Sequence, residues 1–84
     1  MPSVPAIVED LTAFGRWLAR HGINYAAAGR ALGRSRTMVH LLATGKADPG
    51  LNLVGRIERW TALLDPKDVI RPSDWSSYVR ETNR

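Results

Sequence analysis

The sequence predicts an all-α protein, and three observations carry that prediction. Apolar residues recur at three- and four-residue spacing in one segment after another, the period of a helix with a single buried face. Gly22, Gly33 and Gly45 stand where three such segments must stop, and Asn24 and Ser35 follow the first two as natural helix caps. No Asn-Gly or Asp-Gly pair lies between alternating apolar runs, so no hairpin is signalled.

Residues 1–4 are expected to form a flexible tail and residues 5–84 a single domain. Pro5 suits a first helical position, where its missing N–H is not needed. Ile7, Leu11, Phe14 and Leu18, with Trp17 beside them, mark the buried face of a first helix reaching about Arg20 or His21. Glu9 and Asp10 near its start and Arg16 and Arg20 near its end complement the helix dipole. Gly15 inside this helix costs up to about 1 kcal/mol against alanine, so a close helix contact is expected there.

The second helix is expected over Tyr25 to Leu32, capped by Asn24, and the third over Arg36 to Thr44, capped by Ser35. Ala28, Ala31, Leu32, Val39 and Leu42 give each of them one side to bury, and Gly29 lets the next helix approach closely. The turn-rich run Lys46 to Gly50 reads as a loop. Asn52 can cap a fourth helix, Leu53 to Leu64, with Leu53, Val54, Ile57, Trp60, Thr61 and Leu64 on its apolar face and Arg56, Glu58 and Arg59 outside. Asp65-Pro66 opens a short helical turn closing near Ile70, and Pro72 breaks it. Ser73 then caps a last helix, Asp74 to about Arg80, burying Trp75, Tyr78 and Val79. The expectation is a compact domain of five or six helices with a central helix-turn-helix.

Composition narrows the function. An 84-residue chain that is 44% apolar fits one domain with a small core. No run approaches the ~20 apolar residues of a membrane span, and the start MPSVPAIVED has neither the basic residues nor the apolar run of a secretory signal. Cysteine is absent, which removes disulfides and thiol chemistry. A cytoplasmic protein is expected. Enzyme readings fail on inventory: no phosphate-binding or dinucleotide glycine motif occurs, and His21 and His40 have no ligand-spaced carboxylates beside them. No metal, cofactor or small-molecule ligand is expected.

The net charge of +4 is unevenly spread. Leu11 to Ala47 holds Arg16, Arg20, Arg30, Arg34, Arg36 and Lys46 and no acidic residue, whereas the remainder carries six basic residues against eight acidic. A solvated outer face accounts for some basic residues on any helix. Complete exclusion of Asp and Glu favours a phosphate-binding surface.

The stretch Asn24 to Lys46, a small residue and a glycine before a capped helix with an apolar residue four beyond the cap, resembles the helix-turn-helix of phage DNA-binding proteins of the Cro/CI type. The similarity covers about Asn24 to Leu64, and the first helix loosely. Gly29 stands where that family normally has alanine, and Tyr25 where it usually has a phosphate-binding glutamine. The run DVIRPSDW is also similar to the ends of small YdaS-like phage regulators.

The resemblance implies a compact lambda-repressor-like fold whose third helix enters the major groove of double-stranded DNA. It matches Arg36 and Thr37 to the paired polar positions that read bases. Arginine can bond O6 and N7 of guanine together, and threonine can touch a thymine methyl. His40 lies one turn further along the same face. Arg36 is a base reader or a phosphate contact, and His40 a base contact or a solvated histidine. Met38 touches a thymine methyl or packs on the fourth helix. Backbone contacts are expected from Asn24, Tyr25, Arg34, Ser35, Thr44 and Lys46. Arg16, Arg20 and Arg30 have no assigned face. Trp75 and Tyr78 belong to the core or to a homodimer contact, since Cro-type proteins bind two half-sites through a two-fold axis.

The expected function is a phage or prophage transcription regulator: a dimeric repressor on a palindromic operator, nucleoid-associated in a bacterial host and controlled by its own concentration. Two rivals remain, an antitoxin-like or phage adaptor module that kept the fold without reading DNA, and a non-specific nucleic-acid binder.

Overall fold

The computed structural model describes residues 11–75. They form α1 (Ala13–Arg20), α2 (Tyr25–Leu32), α3 (Arg36–Ala43) and α4 (Leu51–Leu64), followed by a single 3-10 turn at Pro72–Asp74. No strand occurs among the described residues, and no described helix is long and apolar enough to cross a membrane. α3 packs on α2 and α1, and α2 also packs on α4. One core joins them: Phe14, Trp17 and Leu18 of α1, Ala28 and Leu32 of α2, Val39 and Leu42 of α3, and Leu53, Val54 and Ile57 of α4. Ile70 and Trp75 close it from the C-terminal segment. Ala31, expected on a buried face, is exposed.

The first three helices end alike. Gly22, Gly33 and Gly45 have φ of 65°, 71° and 79°, a left-handed conformation open to glycine without the Cβ penalty. In each case the next N–H reaches back to a carbonyl five residues earlier: Ile23 to Leu18, Arg34 to Gly29 and Lys46 to Leu41. These bonds satisfy carbonyls that a helix end leaves open. The expected caps Asn24 and Ser35 accept from the Ala27 and Met38 N–H groups at 2.8 and 3.0 Å.

Four expectations are corrected. The first helix begins at Ala13, so Leu11 lies outside it; Pro5, Ile7, Glu9 and Asp10 fall outside the described residues. Thr12 sets the boundary, because its hydroxyl accepts from the Gly15 N–H while its own N–H donates to the Ala43 carbonyl at 2.8 Å. The fourth helix starts at Leu51 behind Gly50, whose carbonyl accepts the Val54 N–H, and Asn52 lies inside it. Asp65 to Ile70 is a turn and not a helix. There the Asp65 carboxylate accepts the Lys67 N–H at 3.1 Å, and the Ile70 N–H goes to the buried Thr61 hydroxyl at 3.1 Å. Ser73 sits within the 3-10 turn rather than ahead of a helix, Asp74 accepts the Arg71 N–H at 2.7 Å, and the rest of the expected helix to Arg80 lies outside the described residues. The described residues therefore hold four helices, fewer than expected. Tyr78 and Val79 lie outside them.

Gly15 meets its expectation. A Cβ there would stand 2.5 Å from the Ala43 carbonyl oxygen, so α1 and α3 meet backbone to backbone. Gly29 is equally tight, with 2.5 Å to the Arg34 carbonyl oxygen. It packs on the turn itself.

Candidate nucleic-acid interface

The seat of α3 is fixed from both ends. At its start the Ser35 hydroxyl caps Met38, while Val39 and Leu42 are fully buried. At its end Thr12 holds the last turn, its hydroxyl donating to Leu42 and Ala43 carbonyls at 3.0 and 3.1 Å. From α4, Arg56 donates to the Leu32 carbonyl at 3.2 Å beside Gly33 and so ties down the end of α2. Sequence reasoning assigned no role to Thr12 and placed Arg56 only on an outer face. A threonine directly ahead of a run with helical apolar spacing is a cap signal that could have found the first.

With α3 so held, Arg36, Thr37 and His40 are all exposed. The structure gathers them with the start of α2. Tyr25, Arg36, Thr37 and His40 line one hollow of about 270 Å³, and Asn24, Tyr25, Ala26 and Arg36 line an adjoining one of about 460 Å³. The Tyr25 ring meets the His40 ring edge-on, with centroids 5.6 Å apart, a favourable geometry that fixes both rings. Arg34 and Met38 line a separate groove with Asp48, Gly50, Leu51, Asn52 and Leu53. Met38 is half-buried against the core, as its packing alternative required.

No family model, curated protein or solved structure matches this chain.

Among the described residues no carboxylate pairs with Arg30, Arg34, Arg36 or Lys46, and all four are exposed. Two other members of the acid-free span are spent elsewhere. Arg20 forms a two-pronged contact with Asp68, and Arg16 donates to the Leu11 carbonyl at 2.7 Å. The Thr44 hydroxyl donates to the His40 carbonyl at 2.8 Å, so its proton is committed within the helix end. The Asn24 carbonyl oxygen is used in capping, which leaves its amide hydrogens to donate outward. The arrangement offers directional donors above the start of an ordered helix, flanked by unpaired cations.

Trp75 is buried, its ring 5.8 Å from that of Phe14, so it belongs to the core and offers no surface to a second copy. Its Nε1 has no hydrogen-bond partner among the described residues. The fold also joins groups that sequence spacing kept apart: His21, Asp65 and Asp68 bring potential ligand atoms within 4.8 Å of one another. No local pattern announces that cluster, because its members are brought together by the turn after α4.

Proposed function

We propose that this chain is a sequence-specific double-stranded DNA-binding regulator of lambda-repressor-like type, inserting α3 into the major groove as a dimer on a palindromic operator and repressing by occupancy. The observation that carries the reading is the first turn of α3. Arg36 and Thr37 stand exposed there, His40 follows one turn later, and the helix beneath them is anchored by Ser35, Thr12 and the fully buried Val39 and Leu42. Base readout needs that combination, because side chains can specify a base edge only from a backbone that does not move. Arg34 and Lys46 flank the helix as phosphate contacts, and the Asn24 amide and Tyr25 hydroxyl offer donors at the start of α2. A single helix-turn-helix reads few base pairs, which favours two copies on one site.

Selection from a random duplex pool by the purified protein tests this. An inverted repeat with half-sites about one helical turn apart is the expected result. A pool that binds without enrichment overturns specific readout.

A further inference from the structure

We infer that His21, Asp65 and Asp68 form a binding site for a divalent transition-metal ion of the zinc type. The inference is independent of any DNA binding. Nε2 of His21 lies 3.0 Å from Oδ2 of Asp68 and 3.8 Å from Oδ2 of Asp65. Tetrahedral zinc with bonds of ~2.0–2.1 Å separates neighbouring ligand atoms by about 3.3 Å, and the two distances bracket that value. One imidazole with two carboxylates is a donor set suited to zinc and its neighbours, and one position remains for water.

Each ligand is also oriented from behind. The His21 ring lies against Trp17 with centroids 4.1 Å apart, and the Trp17 indole N–H is fixed on the Asp68 main-chain carbonyl at 2.6 Å. The Lys67 N–H holds Oδ1 of Asp65, leaving Oδ2 toward the imidazole. Arg20 donates to both oxygens of Asp68. Oδ2 of Asp68 accepts from Nε and Nη2 of Arg20 at 3.3 and 3.0 Å, so a metal bound there would displace one of these contacts while the other, with the bond to Oδ1, keeps the carboxylate oriented. The three side chains are 24–35% exposed, open enough for an ion to enter.

A proton does not satisfy this geometry. One imidazolium N–H bonds Asp68 at 3.0 Å and leaves Asp65 at 3.8 Å, beyond hydrogen-bond reach. Two carboxylates outweigh the Arg20 charge, so a dication centred among the ligands serves all of them at once. Such an ion would staple the end of α1 to the turn after α4.

The test is calorimetric titration of zinc chloride into the untagged, metal-stripped full chain near neutral pH. One equivalent of zinc should bind and raise the melting temperature. Asp65→Asn, which keeps an oxygen for the Lys67 N–H, should weaken binding at least about tenfold, and so should His21→Gln. Cobalt(II) on the unmodified protein should give the visible absorption of a tetrahedral site, a readout that depends on no variant folding. Absence of zinc binding overturns the inference. So does binding that both variants leave unchanged, or that His40→Gln abolishes instead.

Discussion

Gly15→Ala and Gly55→Ala make the same chemical change inside two helices, and they should move stability in opposite directions. At Gly15 the new Cβ meets the Ala43 carbonyl oxygen at 2.5 Å and the Ala43 Cβ at 3.1 Å. That carbonyl cannot retreat cheaply, since it accepts the Thr12 N–H at 2.8 Å and the Thr12 hydroxyl at 3.1 Å. Overpacking of this kind costs about 1–3 kcal/mol, and the gain in helix propensity returns about 1 kcal/mol. The net is a loss of up to about 2 kcal/mol, a 2.5 Å approach to a held carbonyl placing it in the upper part of that range, or up to roughly 15 °C in melting temperature for a domain of this size. At Gly55 the only neighbour within range is Nη1 of Arg59 at 3.4 Å, the far end of a flexible side chain. Propensity then dominates, and the variant should gain up to about 1 kcal/mol. Thermal and urea unfolding followed by circular dichroism reads both. A Gly15→Ala protein as stable as the original would mean that α1 does not sit this close to α3, and the anchoring of α3 argued above would fail with it.

Ser35→Ala should cost about 1 kcal/mol in urea unfolding, because the Met38 N–H loses its acceptor at an exposed cap. On the selected duplex, Arg36→Ala should lose about 1–3 kcal/mol and relax preference at one base position, whereas Lys46→Ala should weaken all duplexes alike and reduce the salt slope by about 1. Arg20→Gln should leave that slope unchanged, since its guanidinium already lies on Asp68. The hydrogen bond from His21, and then Arg20, hold the Asp68 carboxyl below its ordinary value of 3.8. A depressed carboxyl stabilises the fold above its unfolded pKa and loses that contribution as pH falls through the folded one. Asp68→Asn should therefore be less stable than the original at neutral pH, with the gap closing as pH falls below about 4 in a melting-temperature series.

The middle of the chain was legible because its signals are local. A cap, a stop glycine and an apolar stripe all act within one or two turns, and Asn24, Gly33 and Ser35 do what their residue types dictate. The ends of the description were not, because long-range contacts set them. Thr12 stops α1 from running further back by bonding to Ala43, 31 residues away. The expected helix at Asp65 gives way because Ile70 reaches the Thr61 hydroxyl inside the core, a pairing no spacing rule reveals. Asn52 looked like a cap on residue type alone, yet the Gly50 carbonyl already starts the helix before it. Leu64 fits the apolar period of α4 but is 53% exposed, at the residue where the chain leaves the helix.

The charge pattern shows how a sequence count and a folded surface can differ in degree while agreeing in direction. Read along the chain, Leu11 to Ala47 carries six basic residues spread over three helices. In the fold, Arg20 is paired with Asp68, while Arg16 keeps its charge and turns back onto the Leu11 carbonyl, so α1 contributes one free cation rather than two. Of the other cations in that span, Arg30 on α2, Arg34 in the turn, Arg36 at the start of α3 and Lys46 just past its end have no carboxylate partner among the described residues. Arg56 adds a fifth charge beside Gly33, supplied by α4 rather than by the basic span. The field is thus tighter around the helix-turn-helix than the linear count implies. Because steering and counterion release depend on charges close enough to meet one phosphate backbone together, the acidic turn after α4 sharpens the proposed interface by pairing Arg20 away from it.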